Sequence, residues 1–404
     1  MGTYRRINVG SGRPLEHLAH YSRALRVGDM VMQSGTTAID TEGNVIGVGD
    51  VAKQVDAIVE IARQSMGKAG GRLEDVVRTR TYITDMSVAD DAARALGKYF
   101  CDVRPASTLV GVNRLARPAQ LIEIEFDAVD GAEKNAQRIS SGRPTEEAYG
   151  YSRAVRVDDR IFVAGTTALQ DGGGVASPGD LYAQTQITME TIQSAIEEAG
   201  GTMADVVYSK AFLTDVTNSD GHRKARLDIL GDLRPPLTLL GIPDLMLPEM
   251  MVEIEVEAII GSANDRQIIY TENEQEKARG YSRAVRVGDV VHVSGCTSID
   301  ADRKVRAPGD WAAQYDMAHE GIQAALEKAG ATLDDIVRRR TFTIDSAEQN
   351  RPYGEGPPWF KDSRPVSLGC RIAGLADPEM LVEVDAMAII GARKDIEWLS
   401  TADD

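Results

Sequence analysis

Three tyrosines, Tyr21, Tyr151 and Tyr281, and three glutamates, Glu123, Glu253 and Glu383, recur 130 residues apart. A carboxyl group can position water or move a proton, and a phenol can donate or accept a hydrogen bond. The same period carries Ser34-Gly35, Ala164-Gly165 and Ser294-Gly295. Recurrence has two readings. The glutamates, in "LIEIE", "MVEIE" and "LVEVD", either line clefts or pair with Arg or Lys where units meet. The other reactive types are less ordered. His17, His20, His222, His292 and His319 do not recur at this period, and none has zinc-ligand spacing with a third ligand nearby. No metal or organic cofactor is expected. Cys296 stands where Thr36 and Thr166 stand in the other copies; it is a candidate nucleophile without a visible base, or a small buried residue. "RP" recurs at Arg104, Arg234 and Arg364, where a structural role is expected. No P-loop, G-x-G-x-x-G or G-x-S-x-G pattern is present.

The elements that must position these residues repeat with them. "HYSRALRVGD", "GYSRAVRVDD" and "GYSRAVRVGD" each open an alternating hairpin around a tight turn. Asp50, Asp180 and Asp310 are placed to cap a helix, and Gly70, Gly200 and Gly330 to end it. Val55, Ile58, Val59, Ala62 and Met66 form one apolar stripe at helical spacing. A strand, a second helix and closing strands follow. The unit is therefore α+β, in the order β-β-α-β-α-β, with helices on one sheet face. The repeats are set at 1–133, 134–263 and 264–404. Three units in one chain can bury their other faces by closing around a pseudo-threefold axis, helices outside, with clefts where neighbours meet.

Composition bounds the partners. The chain has 404 residues, 43% of them hydrophobic, and a formal charge of −17. Such an acidic surface argues against nucleic acid and anionic membranes. Three scattered cysteines fit a reducing cytoplasm. The first residues, "MGTYRRINVGSGRP", have no apolar core of the secretory kind, and no run approaches membrane-span length.

The Tyr before the hairpin, the Ser-Gly after it, "RPASTLVGV" and "VEIE" resemble the reactive-intermediate deaminase (Rid, YjgF-like) family, in three consecutive copies. That resemblance implies a chorismate-mutase-like pseudo-trimeric barrel. It implies cofactor-free hydrolysis of imines or enamines at inter-unit clefts, with a tyrosine, a Ser-Gly and a water-positioning glutamate. The family's carboxylate-binding arginine falls on Ser107, Leu237 and Ser367, so all three copies have lost it.

The copies have drifted apart. Ser367, Gly369 and Arg371 share a strand face in repeat three, where Gly111 and Gly241 stand for Arg371 in the others. Arg371 is a relocated anion clamp or an ion-pair partner. "DSAEQNRPYGEGPPWFKDSRP" replaces the second helix of repeat three. Its Trp359 lines a pocket or covers the exposed core. The expected site is built on repeat three: Glu383, Tyr281 and Ser294 as catalytic groups, with Gly295, Arg371, Ser367, Cys296 and Trp359 around the substrate. Tyr21, Ser34, Gly35 and Glu123, and Tyr151, Gly165 and Glu253, are its counterparts. The expected activity is hydrolysis or deamination at a C–N bond of a small, anionic imine, enamine or related metabolite. Two alternatives stand: a non-catalytic metabolite-binding pseudo-trimer, and a lyase or hydrolase on a cyclic acid, as in chorismate-cleaving relatives of the fold.

Overall fold

The computed structural model describes residues 4–271, 275–351, 357 and 359–402. Each repeat builds one sheet in one order. In repeat one, a leading strand, Arg6–Gly10, pairs with the hairpin Ala24–Val27 and Met30–Thr36. The last strand, Ile122–Val129, inserts next, followed by Val76–Ile83 and, parallel to it at the edge, Ala106–Gly111. A helix, Ala89–Phe100, makes that parallel crossover. Repeats two and three repeat this order, from Gln137–Ile139 to Val252–Ile259 and from Gln267–Ile269 to Val382–Ile389. The leading strands were not anticipated, because three residues such as Gln137–Ile139 carry too little alternation to register.

The helix signals hold. Asp50, Asp180 and Asp310 each accept a backbone N–H from the residue three further on, at 3.0 to 3.1 Å. Gly70, Gly200 and Gly330 take the left-handed conformation that ends the long helices. Val55, Ile58, Val59, Ala62 and Met66 are fully buried against the sheet. In repeat three the segment between Ile344 and Val366 contains no helix among the described residues; Pro352 to Gly356 and Pro358 lie outside them.

The expected barrel does not form as a closed sheet. Three separate sheets are present, joined by side chains and by isolated backbone bridges such as Ala106 to Ser152, Gly241 to Gly374 and Arg371 to Arg114. The penultimate strand of each repeat packs on the hairpin of the next, and the third returns to the first. At two joints a serine takes the place of a ladder partner: Ser367 N–H donates to Ser34 Oγ at 2.8 Å, and Leu237 N–H to Ser294 Oγ at 2.9 Å. Tyr82, Phe212 and Phe342 meet in a central apolar cluster with Leu115, Leu245 and Leu375.

Around that cluster the inner sheet faces are charged. The second cation of each repeat binds the acid of the next: Arg80 to Glu255 at 2.7 Å, Lys210 to Asp385 at 2.9 Å and Arg340 to Glu125 at 2.9 Å. Arg78 and Arg338 extend the network to Asp127, and Arg78 also reaches Glu257. In Tyr208 and Met387 two of these positions have become uncharged. Among these residues the network balances, with five cations and five carboxylates: repeat one is even, repeat two has one carboxylate too many and repeat three one cation too many.

The chain's last strand, Ile396–Ser400, pairs in parallel with Arg6–Gly10 at the edge of the first sheet. The 130-residue period makes it the counterpart of Gln137–Ile139 and Gln267–Ile269. Arg6, buried in the first strand, donates to backbone carbonyls of Asp334, Ile336 and Ser363 in repeat three.

Candidate functional site

The recurrent Ser-Gly is a β-bulge. In repeat three the register against the last strand slips between Val293 and Cys296. Gly295 is required there by close approach. A methyl group built on it would collide with the Glu383 carboxylate, and the same holds for Gly35 against Glu123 and Gly165 against Glu253. Each bulge therefore seats a glutamate. Burial drives all three carboxyls to hold a proton up to about pH 8. Glu383 and Glu253 also accept a backbone N–H, from Leu239 and Leu109 of the preceding repeat. Each bulge is braced by an arginine that sequence reasoning overlooked, although it recurs in the opening motif. Arg283 donates to the Gly295 carbonyl at 2.8 Å and pairs with Glu276 at 2.9 Å; Arg23 and Arg153 repeat the arrangement.

Each cleft combines the Tyr, Gly and Glu of one repeat with the penultimate strand of the repeat before it. This separates residues that had been grouped. Tyr281, Gly295 and Glu383 line a cleft, partly open to solvent, with Leu237 and Leu239 of repeat two. Ser367 belongs instead with Ser34 of repeat one. Arg371 lies at that same joint: its backbone pairs with Arg114 and its guanidinium donates to the Ala347 carbonyl at 2.8 Å. The placement of Arg371 and Ser367 beside Tyr281 is thus corrected, because the strand that carries them faces forward to repeat one.

Three further residues are placed elsewhere. Ser294 is fully buried and engaged, donating to the Ser282 carbonyl at 2.6 Å and accepting from Leu237 N–H. Cys296 borders a neighbouring recess beneath the helix Trp311–Lys328, and burial raises its thiol pKa. Trp359 stacks on His319 at 5.3 Å, donates to Asp316 and packs with Phe360 on the core of repeat three. It covers the face that the missing helix covers in the other repeats.

The structure adds what the sequence reading missed. Five arginines line the cleft between repeats two and three: Arg223 and Arg226 from the helix Asp220–Leu230, with Arg279, Arg283 and Arg303. Arg226 spends two N–H groups on the carbonyls of Gly280 and Arg279. His222, buried on the same helix, is kept neutral by burial, its pKa pulled down to about 3, and its Nε2 has no hydrogen-bond partner. At the positions of Arg223, Arg226, Arg279 and Arg303 repeat one and its neighbour carry Ala93, Leu96, Tyr149 and Gly173. Comparing the three copies position by position for charge, rather than for recurrence, is the signal that finds them.

A fused, three-sheet α+β chain with glutamate-bearing clefts between units is the class that this architecture defines. The family model described as Endoribonuclease L-PSP matches it three times, at residues 12–130, 143–260 and 271–390, and the chain belongs to that family as a tandem triplication. An uncharacterized protein of Streptomyces coelicolor is 34% identical over 128 residues, covering 32% of this chain and 95% of that protein. A RutC family protein of Pyrococcus abyssi is 31% identical over 126 residues, 30% of this chain and 96% of its own. Among solved structures, a member of the YjgF/YER057c/UK114 family from Mycobacterium tuberculosis is 34% identical, covers 31% of this chain and 99% of its own, and has a TM-score of 0.28. A chorismatase structure covers 78% of this chain and 93% of its own, at 14% identity and a TM-score of 0.47. Among the described residues no helix is long and apolar enough to cross a membrane, and no group of three His, Cys, Asp or Glu residues could hold a metal ion.

Proposed function

We propose that the chain is a cofactor-free hydrolase acting on the C–N bond of a small anionic imine or enamine, in the cleft between repeats two and three. The observation that carries this reading is the Glu383 carboxyl, seated on Gly295 in the cleft wall and holding its proton up to about pH 8. A neutral carboxyl can protonate an imine nitrogen, and a resting carboxylate cannot. The carboxylate so formed takes a proton from water as the oxygen adds to the C=N carbon. In the collapse Glu383 gives its proton to the amino nitrogen and takes the hydroxyl proton as the C–N bond breaks and the C=O bond forms, so that one imine and one water give one carbonyl compound and one ammonia. Tyr281 and the N–H of Leu239 border the same space and orient the reactants.

The test supplies imines generated in situ from a panel of amino acids, with semicarbazide as competing trap, and follows ammonia and carbonyl release. Acceleration over buffer is expected, with Glu383→Gln lowering kcat by about 10²- to 10⁴-fold. Simple 2-iminopropionate is expected to be a poor substrate, since Leu237 stands where the carboxylate-binding arginine would be. A panel without any acceleration, or full activity in Glu383→Gln, refutes the reading.

A further inference from the structure

Resting on that reading, we propose that the cleft between repeats two and three selects a substrate whose unreactive end carries two negative charges, held by Arg223, Arg279 and Arg303 at the mouth. Among the described residues, neither Arg279 nor Arg303 has a side-chain hydrogen bond or ion pair. Arg223 has only Asp220, whose side chain is 86% exposed. Three guanidiniums facing one solvated carboxylate repel one another; burial first, and then the neighbouring Arg303 and Arg223, lower the pKa of Arg279. This occurs in a chain with a net charge of −17, so the mouth is a local reversal of the protein's own field.

The backbone supplies the second observation. Arg303 sits at φ +66°, in the left-handed region. The other repeats place glycine at this position, Gly43 at φ +89° and Gly173 at φ +82°. A branchless residue costs nothing there, whereas arginine is held against a conformational penalty. The cation is thus placed where the turn geometry opposes it. The inner end of the cleft is different: His222 is neutral and Arg283 is committed to Glu276 and Gly295. One end therefore suits an uncharged C–N group and the other a compact dianion. Phosphate and a geminal pair of carboxylates share that chemistry, because guanidinium binds both through paired charged hydrogen bonds.

Titration calorimetry of the full chain at low ionic strength, with inorganic phosphate, malonate and acetate as probes, tests the assignment. A dianion should bind at one site per chain at least tenfold more tightly than acetate. That affinity should fall tenfold or more in Arg279→Ala/Arg303→Ala. Arg303→Gly restores the residue of the other copies, so it keeps the fold and should lose affinity too. Arg94→Ala removes a cation from the equivalent helix of repeat one and should change nothing. Phosphate alone binding identifies a phosphorylated substrate, and malonate alone a dicarboxylate. Dianions that bind no better than acetate, or unchanged affinity in the double variant and in Arg303→Gly, overturn the proposal. The unsubstituted chain separates the two readings: dianion binding without turnover in any imine assay leaves this site standing and removes the hydrolase, whereas turnover without preferential dianion binding leaves the hydrolase and removes this site.

Discussion

Replacing Asp127 by Asn should destabilise the whole ring rather than repeat one. The Asp127 carboxylate accepts from Arg78 at 2.9 and 3.0 Å, from Arg80 at 3.2 Å and from Arg338 of repeat three. All four side chains are 1 to 2% exposed. Arg78 and Arg80 keep Glu257 and Glu255 when Asp127 is neutralised. Arg338 does not, since its own repeat offers Met387 at the acid position. Removing one partner of a buried pair costs about 3–5 kcal/mol, because the remaining charge has no water to return to. For 404 residues the unfolding entropy is about 0.85 kcal/mol per degree, so Tm should fall by about 4–6 °C in a single cooperative transition. Arg338→Met should be costly alone, and the double variant should recover about 1.5 kcal/mol or more of the summed loss. Calorimetry of the two single variants and the double variant reads this directly. A Tm drop below about 1 °C, strict additivity, or two separated transitions would refute the view that the charged layer binds the repeats into one unit.

Three further outcomes follow from the same geometry. Gly295→Ala should evict the Glu383 carboxyl from its seat, lowering stability by about 1–3 kcal/mol and abolishing cleft activity; Gly321→Ala, inside the helix Trp311–Lys328 with only an ordinary contact to Cys296, is the control that should leave Tm unchanged or raise it slightly. From the buried glutamates and histidines stability should peak near about pH 4.5, because above it three carboxyls lose stability faster than two imidazoles regain it. Glu123, Glu253 and Glu383 are raised from 4.5 to about 8, so their contribution is present below 4.5 and lost as pH rises to 8; His222 and His319 are lowered from 6.5 to about 3, so theirs is lost as pH falls through that window. Glu383→Gln should therefore flatten the alkaline side of a Tm-against-pH curve, and an unaltered slope would count against its buried proton. Expressed alone, residues 1–133 should form a soluble trimer by light scattering, because Arg78 and Arg80 balance Glu125 and Asp127; residues 134–263, with Lys210 against Glu255 and Glu257, should not.

The sequence made the repeat, its helices and its hairpins legible, because caps such as Asp310 and stripes such as Val55 to Met66 are local signals. It showed the glutamate and the Ser-Gly as recurring, and their contact follows from strands brought together by the sheet. The partner across the cleft was not legible. Ser367 and Arg371 lie closer in sequence to Glu383 than Leu237 does, yet strand direction sends them to repeat one. The charged mouth was hidden for a different reason: Arg223, Arg279 and Arg303 come from a helix and two loops and share no period. Trp359 could be read either as pocket or as cover, and its packing against the core of repeat three decides for cover.

The pairing of the last strand with the first has a topological consequence. Arg6 N–H lies 3.4 Å from the Asp395 carbonyl. Asp395 stands, by the 130-residue period, where the second and third repeats pass directly into their leading strands. Joining residue 395 to residue 6 and omitting Ile396–Ser400 therefore reproduces a connection the chain already makes twice. The order of the repeats around the ring is fixed by the charged layer, but the place where the polypeptide is cut is not. Permuted chains that begin at residue 134 or at residue 264 should reach the same native state, and a ligated circle should be more stable than the linear protein, because closing the chain lowers the entropy of its unfolded state.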